Sequence, residues 1–325
     1  MKRPRFQLDA SETICYGGET YHLRIRSNDE SNPVVLFLHG GPGSPDRAWV
    51  MKHQSPLADI CTIVAWDQRG CGLAYNSKLA KTETLTKEQY INDAHNVILY
   101  LKERFQKEKI ILVGHSFGSQ LGVWAAQRFP EDIEAFAGIG QCVNAKGEDI
   151  SFAFVMDEAI RRNDRRAIKK LRAVGPPVDG FYKDDKVFVQ RNYLNKYGGV
   201  QYGKLRGAIL STLPMIPCMF REYSLGTMLN YVNGNVHCLE SPMARVKIDF
   251  LKEATELRVP VYLFLGRHDY NTPFELAEEW YNALRAPYKR LIWFERSGHE
   301  PQWEEPQAWN SAFARYVLNI ELKTS

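Results

Sequence analysis

The sequence predicts an α/β protein, with a mostly parallel central sheet, helices on both faces and one inserted helical cap. Three observations predict it. Short, continuous apolar runs at residues 34–38, 62–66, 110–113 and 261–265 have the composition of strands buried on both faces. Amphipathic helical stretches lie between them, as in β–α–β crossovers. The alternation stops once, between residues 142 and 257, and then resumes. Residues 1–141 and 258–325 are therefore expected to form the sheet-bearing domain, and 142–257 the cap.

The elements follow in order. Residues 13–16 and 20–26 are strand-like runs joined across Gly17-Gly18, which suits a hairpin. A polar turn over 27–33 leads into the apolar strand 34–38. That strand ends in His39-Gly40-Gly41-Pro42-Gly43-Ser44, too rich in glycine to continue as strand or helix. Strand 62–66 runs into Asp67-Gln68-Arg69-Gly70-Cys71-Gly72. Residues 86–105 read as a helix. Thr86 is placed to cap it, Gln89 completes a capping box, and Ile91, Ala94, Val97, Ile98 and Leu101 form its apolar stripe. Strand 110–113, the pentapeptide Gly114-His115-Ser116-Phe117-Gly118, a helix over 119–128 and a strand over 134–140 come next.

In the cap, residues 151–172 read as one amphipathic helix. Its basic outer side, with Arg161, Arg162, Arg165, Arg166, Lys169 and Lys170, is best read as a solvated face. Gly175-Pro176-Pro177 and the stretch 214–217 punctuate the rest. After strand 261–265 come the loop Gly266-Arg267-His268-Asp269, a helix over 273–284 with proline at its start, a strand over 290–294 and a helix over 306–318.

Composition narrows the function classes. With 44% hydrophobic and 25% charged residues over 325, the chain has enough apolar material for a large core with an insertion. A net charge of +4 is too small to point to nucleic acid. None of the six cysteines forms a C-x-x-C pair, and no His/Cys cluster has zinc spacing. Reduced, mostly buried thiols with neither metal nor cofactor are expected. The basic residues 1–6 have no apolar run behind them, so they do not read as a secretory signal. No run approaches the ~18–20 apolar residues of a membrane helix. The expectation is a soluble, cytoplasmic protein.

The chemistry centres on Ser116. A strand turning sharply into a helix, with glycines two before and two after a serine, exposes the hydroxyl at a strained turn where other side chains would clash. Serine needs a base within hydrogen-bond reach. His299, in Ser297-Gly298-His299-Glu300 after the last strand, is the candidate. His39 and His115 are read as shaping their own loops. The acid that orients the base should follow the serine and precede the histidine, which selects Asp269. Asp67 is the runner-up, with a structural role preferred. The backbone N–H groups of Gly41 and Phe117 are placed to hold a developing oxyanion.

These motifs together resemble the proline iminopeptidase (prolyl aminopeptidase) family of α/β-hydrolases. The His-Gly-Gly-Pro-Gly block at 39–43 and the Asp-Gln-Arg-Gly-Cys-Gly block at 67–72 are the more specific part. The resemblance implies an α/β-hydrolase fold with a helical cap. It also implies release of an N-terminal residue, usually proline, from a peptide through an acyl-enzyme. His115 and Phe117 stand where the best-known members carry Gly and Trp or Tyr. Leu73-Ala74 replaces the usual Arg-Ser. An aminopeptidase must hold the substrate ammonium with carboxylates, and family members use cap glutamates. Glu222 and Glu240 are the candidates here, each equally readable as a surface or paired glutamate. Tyr223, with Phe220 and Tyr231, offers an apolar wall for a proline ring, or a small cap core. A small peptide or a small acyl compound is the expected substrate. An esterase, lactonase or amidase with the same triad, or a non-catalytic binding protein on this fold, are the competing readings.

Overall fold

The computed structural model describes residues 6–82, 84–182, 186–203 and 213–322. The basic residues 1–5 lie outside them. Strands β1 (Leu8–Tyr16) and β2 (Glu19–Ser27) form an antiparallel hairpin turned at Gly17 and Gly18. Then come β3 (Val34–Leu38), α1 (Arg47–His53), β4 (Thr62–Asp67), α2 (Lys87–Phe105), β5 (Ile110–His115), α3 (Phe117–Arg128) and β6 (Ile133–Ile139). The next helices are α4 (Lys146–Arg161), α5 (Arg165–Val174), α6 (Lys186–Lys196), α7 (Ile216–Glu222), α8 (Leu225–Glu240) and α9 (Phe250–Glu253). The chain closes with β7 (Val261–Gly266), α10 (Phe274–Ala283), β8 (Lys289–Phe294), α11 (Pro301–Glu304) and α12 (Pro306–Tyr316).

The strands make one sheet in the order β1-β2-β4-β3-β5-β6-β7-β8. Every pairing from β4 through β8 is parallel, and the two pairings of β2 are antiparallel. Alternate residues of one strand feed opposite cores. Leu36, Val64, Leu112 and Leu263 pack with Val97, Leu101, Leu121 and Trp280 from α2, α3 and α10. Their neighbours Val35, Ile63, Ile111 and Phe264 pack with Val50, Trp309 and Phe313 from α1 and α12. Burying each such side chain is worth roughly 1.5–3 kcal/mol, so both faces drive formation of the same sheet. Thr86 and Gln89 form the capping box at the start of α2.

β6 and β7 are sheet neighbours, and α4 to α9 occupy the chain between them. α4, α5 and α6 close round a core of their own, including Val155, Leu171, Tyr193 and Leu194. The single helix expected over 151–172 is two helices. Asn163 takes a left-handed conformation (φ 52°), and Asp164 caps the second helix by accepting from the Ala167 N–H at 2.9 Å. All six cysteines are free thiols. Cys61, Cys71 and Cys238 are buried and Cys15 is exposed. Among the described residues, no helix is long and apolar enough to cross a membrane.

Candidate active site

Ser116 sits between β5 and α3 with φ 54° and ψ −122°. A non-glycine residue there costs about 1–3 kcal/mol, which the surroundings must hold in place. They do so by close packing. A side chain on Gly118 would run into the Leu38 carbonyl of β3, and one on Gly114 into the Gly118 carbonyl. The Ser116 N–H donates to the Ile139 carbonyl at 2.9 Å, and its own carbonyl accepts from the Ser119 hydroxyl at 2.6 Å. The turn is thus tied to β3, β6 and α3.

His299 and Asp269 come together from the loops after β8 and β7. Their Nδ1 and Oδ2 atoms are 2.9 Å apart, and both side chains are buried. Asp269 also accepts from the backbone N–H groups of Asn271 and Thr272, each at 2.9 Å, and from the Thr272 hydroxyl at 2.8 Å. Burial pushes the His299 imidazole toward lower basicity. The Asp269 charge and hydrogen bond outweigh it, and the net shift is upward from the ordinary value. Ser116, His299, Gly41 and Phe117 all line one cavity of about 630 Å³. Phe117 opens α3, so its N–H has no carbonyl within the helix to bond.

Two further histidines shape this site. His39 is fully buried. Its Nδ1 lies 2.8 Å from the Gly40 carbonyl, and its Nε2 lies 3.1 Å from the Gln68 N–H. Those partners require the Nδ1–H tautomer, which joins the two glycine-rich loops. Burial pushes its pKa down to about 4. His115 does not shape its own loop, as the sequence suggested. Its Nε2 donates to the His299 carbonyl at 3.1 Å, and its ring packs 4.8 Å from that of His299. Burial, with His299 close by, holds His115 well below the ordinary histidine value, so it is a neutral donor.

Residues 199–202 of the inserted segment lie across the same loops. His299 N–H donates to the Val200 carbonyl at 2.7 Å, and Tyr270 N–H to the Gly199 carbonyl at 2.9 Å. Glu304 receives the N–H groups of Gly298 and Glu300 on one oxygen, at 2.9 and 3.2 Å, and that of Tyr202 on the other at 2.7 Å. Burial raises its pKa to about 7, against the pull of the Tyr202 hydrogen bond. Sequence reasoning missed Glu304. Its spacing of five from His299 puts it on α11, just past the loop it braces.

The cap candidates are placed elsewhere. Glu222 pairs with Arg24 of β2 at 2.8 Å, and Glu240 is exposed at the end of α8. Tyr223 is buried outside the cavity. Its hydroxyl donates to Asp67 at 3.0 Å and its ring faces the Arg47 guanidinium. Phe220 is exposed, whereas Tyr231 does line the cavity. Asp67 is fully buried. It accepts from the Leu73 N–H at 3.0 Å and pairs with Arg47 at 3.4 Å, so it holds the turn after β4. The acids lining the cavity are instead Asp46, Glu148 and Glu300. Asp46 is 5% exposed, and its Oδ1 has no hydrogen-bond partner. Burial, with Asp67 nearby, raises its pKa to about 7. Sequence reasoning did not single out Glu300, and its place directly after His299 is the one signal that could have found it.

A parallel sheet crossed by a strand–serine–helix turn, with histidine and aspartate on the loops after its last strands, is the architecture of an α/β-hydrolase. Residues 33–306 match the family model described as alpha/beta hydrolase fold. A probable aminopeptidase, YbaC, of Bacillus subtilis is 30% identical over 310 residues, covering 94% of this chain and 95% of that protein. A proline iminopeptidase of Lactobacillus acidophilus is 24% identical over 302 residues, covering 87% and 89%. The crystal structure of a proline iminopeptidase from Mycobacterium smegmatis superposes with a TM-score of 0.66 at 16% identity, over 95% of this chain and 98% of that one. The chain belongs to the proline iminopeptidase-like α/β-hydrolases.

Proposed function

We propose that the chain is a serine aminopeptidase, releasing the N-terminal residue of a peptide through an acyl-enzyme, with proline as the preferred residue. The observation that carries this reading is the acidic lining of the cavity that holds Ser116. A substrate ammonium needs carboxylate partners when it leaves water. Asp46 and Glu300 both line it, and Glu300 lies next to the proposed base. The aminopeptidase relatives support the same reading.

In the proposed cycle His299 takes the Ser116 proton as Oγ attacks the scissile carbonyl. Asp269 fixes the imidazole tautomer and stabilises the imidazolium. The N–H groups of Gly41 and Phe117 receive the oxyanion. His299 then gives its proton to the leaving amine, and a water activated by the same ring releases the acyl group. In this reading residues 142–257 are the cap that closes over the substrate and limits it to short chains.

A panel of aminoacyl-naphthylamides beside p-nitrophenyl esters tests the proposal. Cleavage of the free-amine substrates is expected, with loss of activity in Ser116→Ala and a raised KM in Asp46→Asn and Glu300→Gln. Hydrolysis confined to the esters would overturn it in favour of an esterase.

A further inference from the structure

One cation inside the active-site cavity has no part in the cycle above. Arg191 projects from α6 and lines the same cavity as Ser116 and His299. Its side chain is 27% exposed, in contrast to the surface arginines of the neighbouring α5. Two residues grip its guanidinium. One terminal nitrogen donates to the Gln190 side-chain oxygen at 2.6 Å, and the other to Glu148. The remaining N–H groups of the fork have no hydrogen-bond partner among the described residues.

The guanidinium is seated on buried groups behind it. Gln190 is fully buried, yet its side-chain nitrogen has no partner. The Tyr182 hydroxyl and the second Glu148 oxygen are likewise buried without one. Unpaired buried polar groups cost about 1–3 kcal/mol each, but these three atoms are shut off from the cavity, which Arg191 and Glu148 line and Gln190 and Tyr182 do not. A purely structural ion pair needs no opening to the cavity. Arg191 has one, and the grip from behind pre-orients the fork, as planar recognition of a carboxylate requires. Lys247 also lines the cavity, but its side chain is 63% exposed and pairs with Asp179. Among the described lining residues, Arg191 is therefore the cation sheltered within the cavity.

We propose that Arg191 receives a free carboxylate on the leaving group of the substrate. Peptides with an unblocked C-terminus, dipeptides foremost, are then the substrate class. The cavity would complement a zwitterion, with Asp46 and Glu300 toward the ammonium and Arg191 toward the carboxylate. This inference rests on the aminopeptidase reading.

The test compares each dipeptide with its own amide, such as prolyl-glycine with prolyl-glycinamide and alanyl-glycine with alanyl-glycinamide. Both members of a pair carry the same ammonium and scissile bond. The wild-type chain is expected to favour the acid by about tenfold or more in kcat/KM. The preference shrinks in Arg191→Lys, which keeps the charge but loses the fork, and disappears in Arg191→Met. Equal rates on acid and amide in the wild type, or a preference that survives Arg191→Met, would overturn the assignment. If Arg191→Met fails to fold, the acid-to-amide ratio of Arg191→Lys decides, and a ratio equal to the wild-type one overturns the assignment. If naphthylamides are cleaved but acid and amide do not differ, Arg191 loses this role and the aminopeptidase reading stands. If no free-amine substrate is cleaved, both fall.

Discussion

His115 donates from Nε2 to the backbone carbonyl of His299, so the residue preceding the serine braces the loop of the histidine. The serine and its proposed base are thereby tied through one hydrogen bond at 3.1 Å. Replacing His115 with Phe keeps the ring packing and removes the donor. A kcat lower by about tenfold is expected, because small misplacements of a base are costly, with KM changed less than about twofold. Urea unfolding should show a loss of about 1–3 kcal/mol from the unpaired carbonyl. An unchanged kcat would remove the brace from the mechanism.

In the proposed cycle Asp269 sets where the acid limb of the pH profile falls. Its net effect with burial is to raise the His299 pKa, and the base must be neutral to act. Activity should therefore rise through a pKa above the ordinary histidine value of about 6.5. In Asp269→Asn that limb moves to lower pH, and kcat falls by roughly 10²–10⁴ as the tautomer is lost. Steady-state rates from pH 5 to 9 measure both.

Glu304 links pH to the same loop in a different way. Ionised, it accepts from Gly298, Glu300 and Tyr202, and the Glu300 charge acts on it. Its pKa of about 7 means that acidification through neutrality weakens this cradle and adds to the fall in kcat. Stability has the opposite sign. A carboxyl whose folded pKa is raised stabilises the fold fully below its unfolded value of about 4.5, and that contribution is lost as pH rises through 7. Glu304→Gln, which cannot ionise, should lack up to about 3 kcal/mol of this decline between pH 5 and 8. It should also show a lower kcat plateau. Denaturation curves at the two pH values check the sign.

Glu222→Ala should affect stability and leave substrate choice alone. The residue pairs with Arg24, and both side chains are largely buried, so about 2–3 kcal/mol of folding stability is expected to go. kcat/KM on free-amine substrates should stay within about twofold. A selective loss of those substrates would return Glu222 to the binding site.

The parallel strands were legible because burial on both faces leaves runs such as Val34–Leu38 without a polar residue. The motif loops were legible because close approach at Gly114 and Gly118 admits no side chain. The inserted segment was harder to read. Its helix break at Asn163 depends on one left-handed residue and a cap at Asp164, which periodicity overlooks. Glu222, at the end of helix α7, was misplaced because its partner, Arg24, is 198 residues away on β2. Glu304 and Arg191 gave no local signal. Their roles depend on which loops and helices fold against them.

The carbonyl of Val200 that takes the His299 N–H has a consequence for engineering. A lid is often treated as an exchangeable module, to be swapped between relatives to change selectivity. In this protein residues 199–202 belong to the scaffold of the histidine loop as much as to the segment between β6 and β7. A chimera that imports a foreign lid should keep that four-residue strap, or carry over a matching partner for Glu304. Otherwise the graft would disturb the reaction centre along with the selectivity it was meant to change.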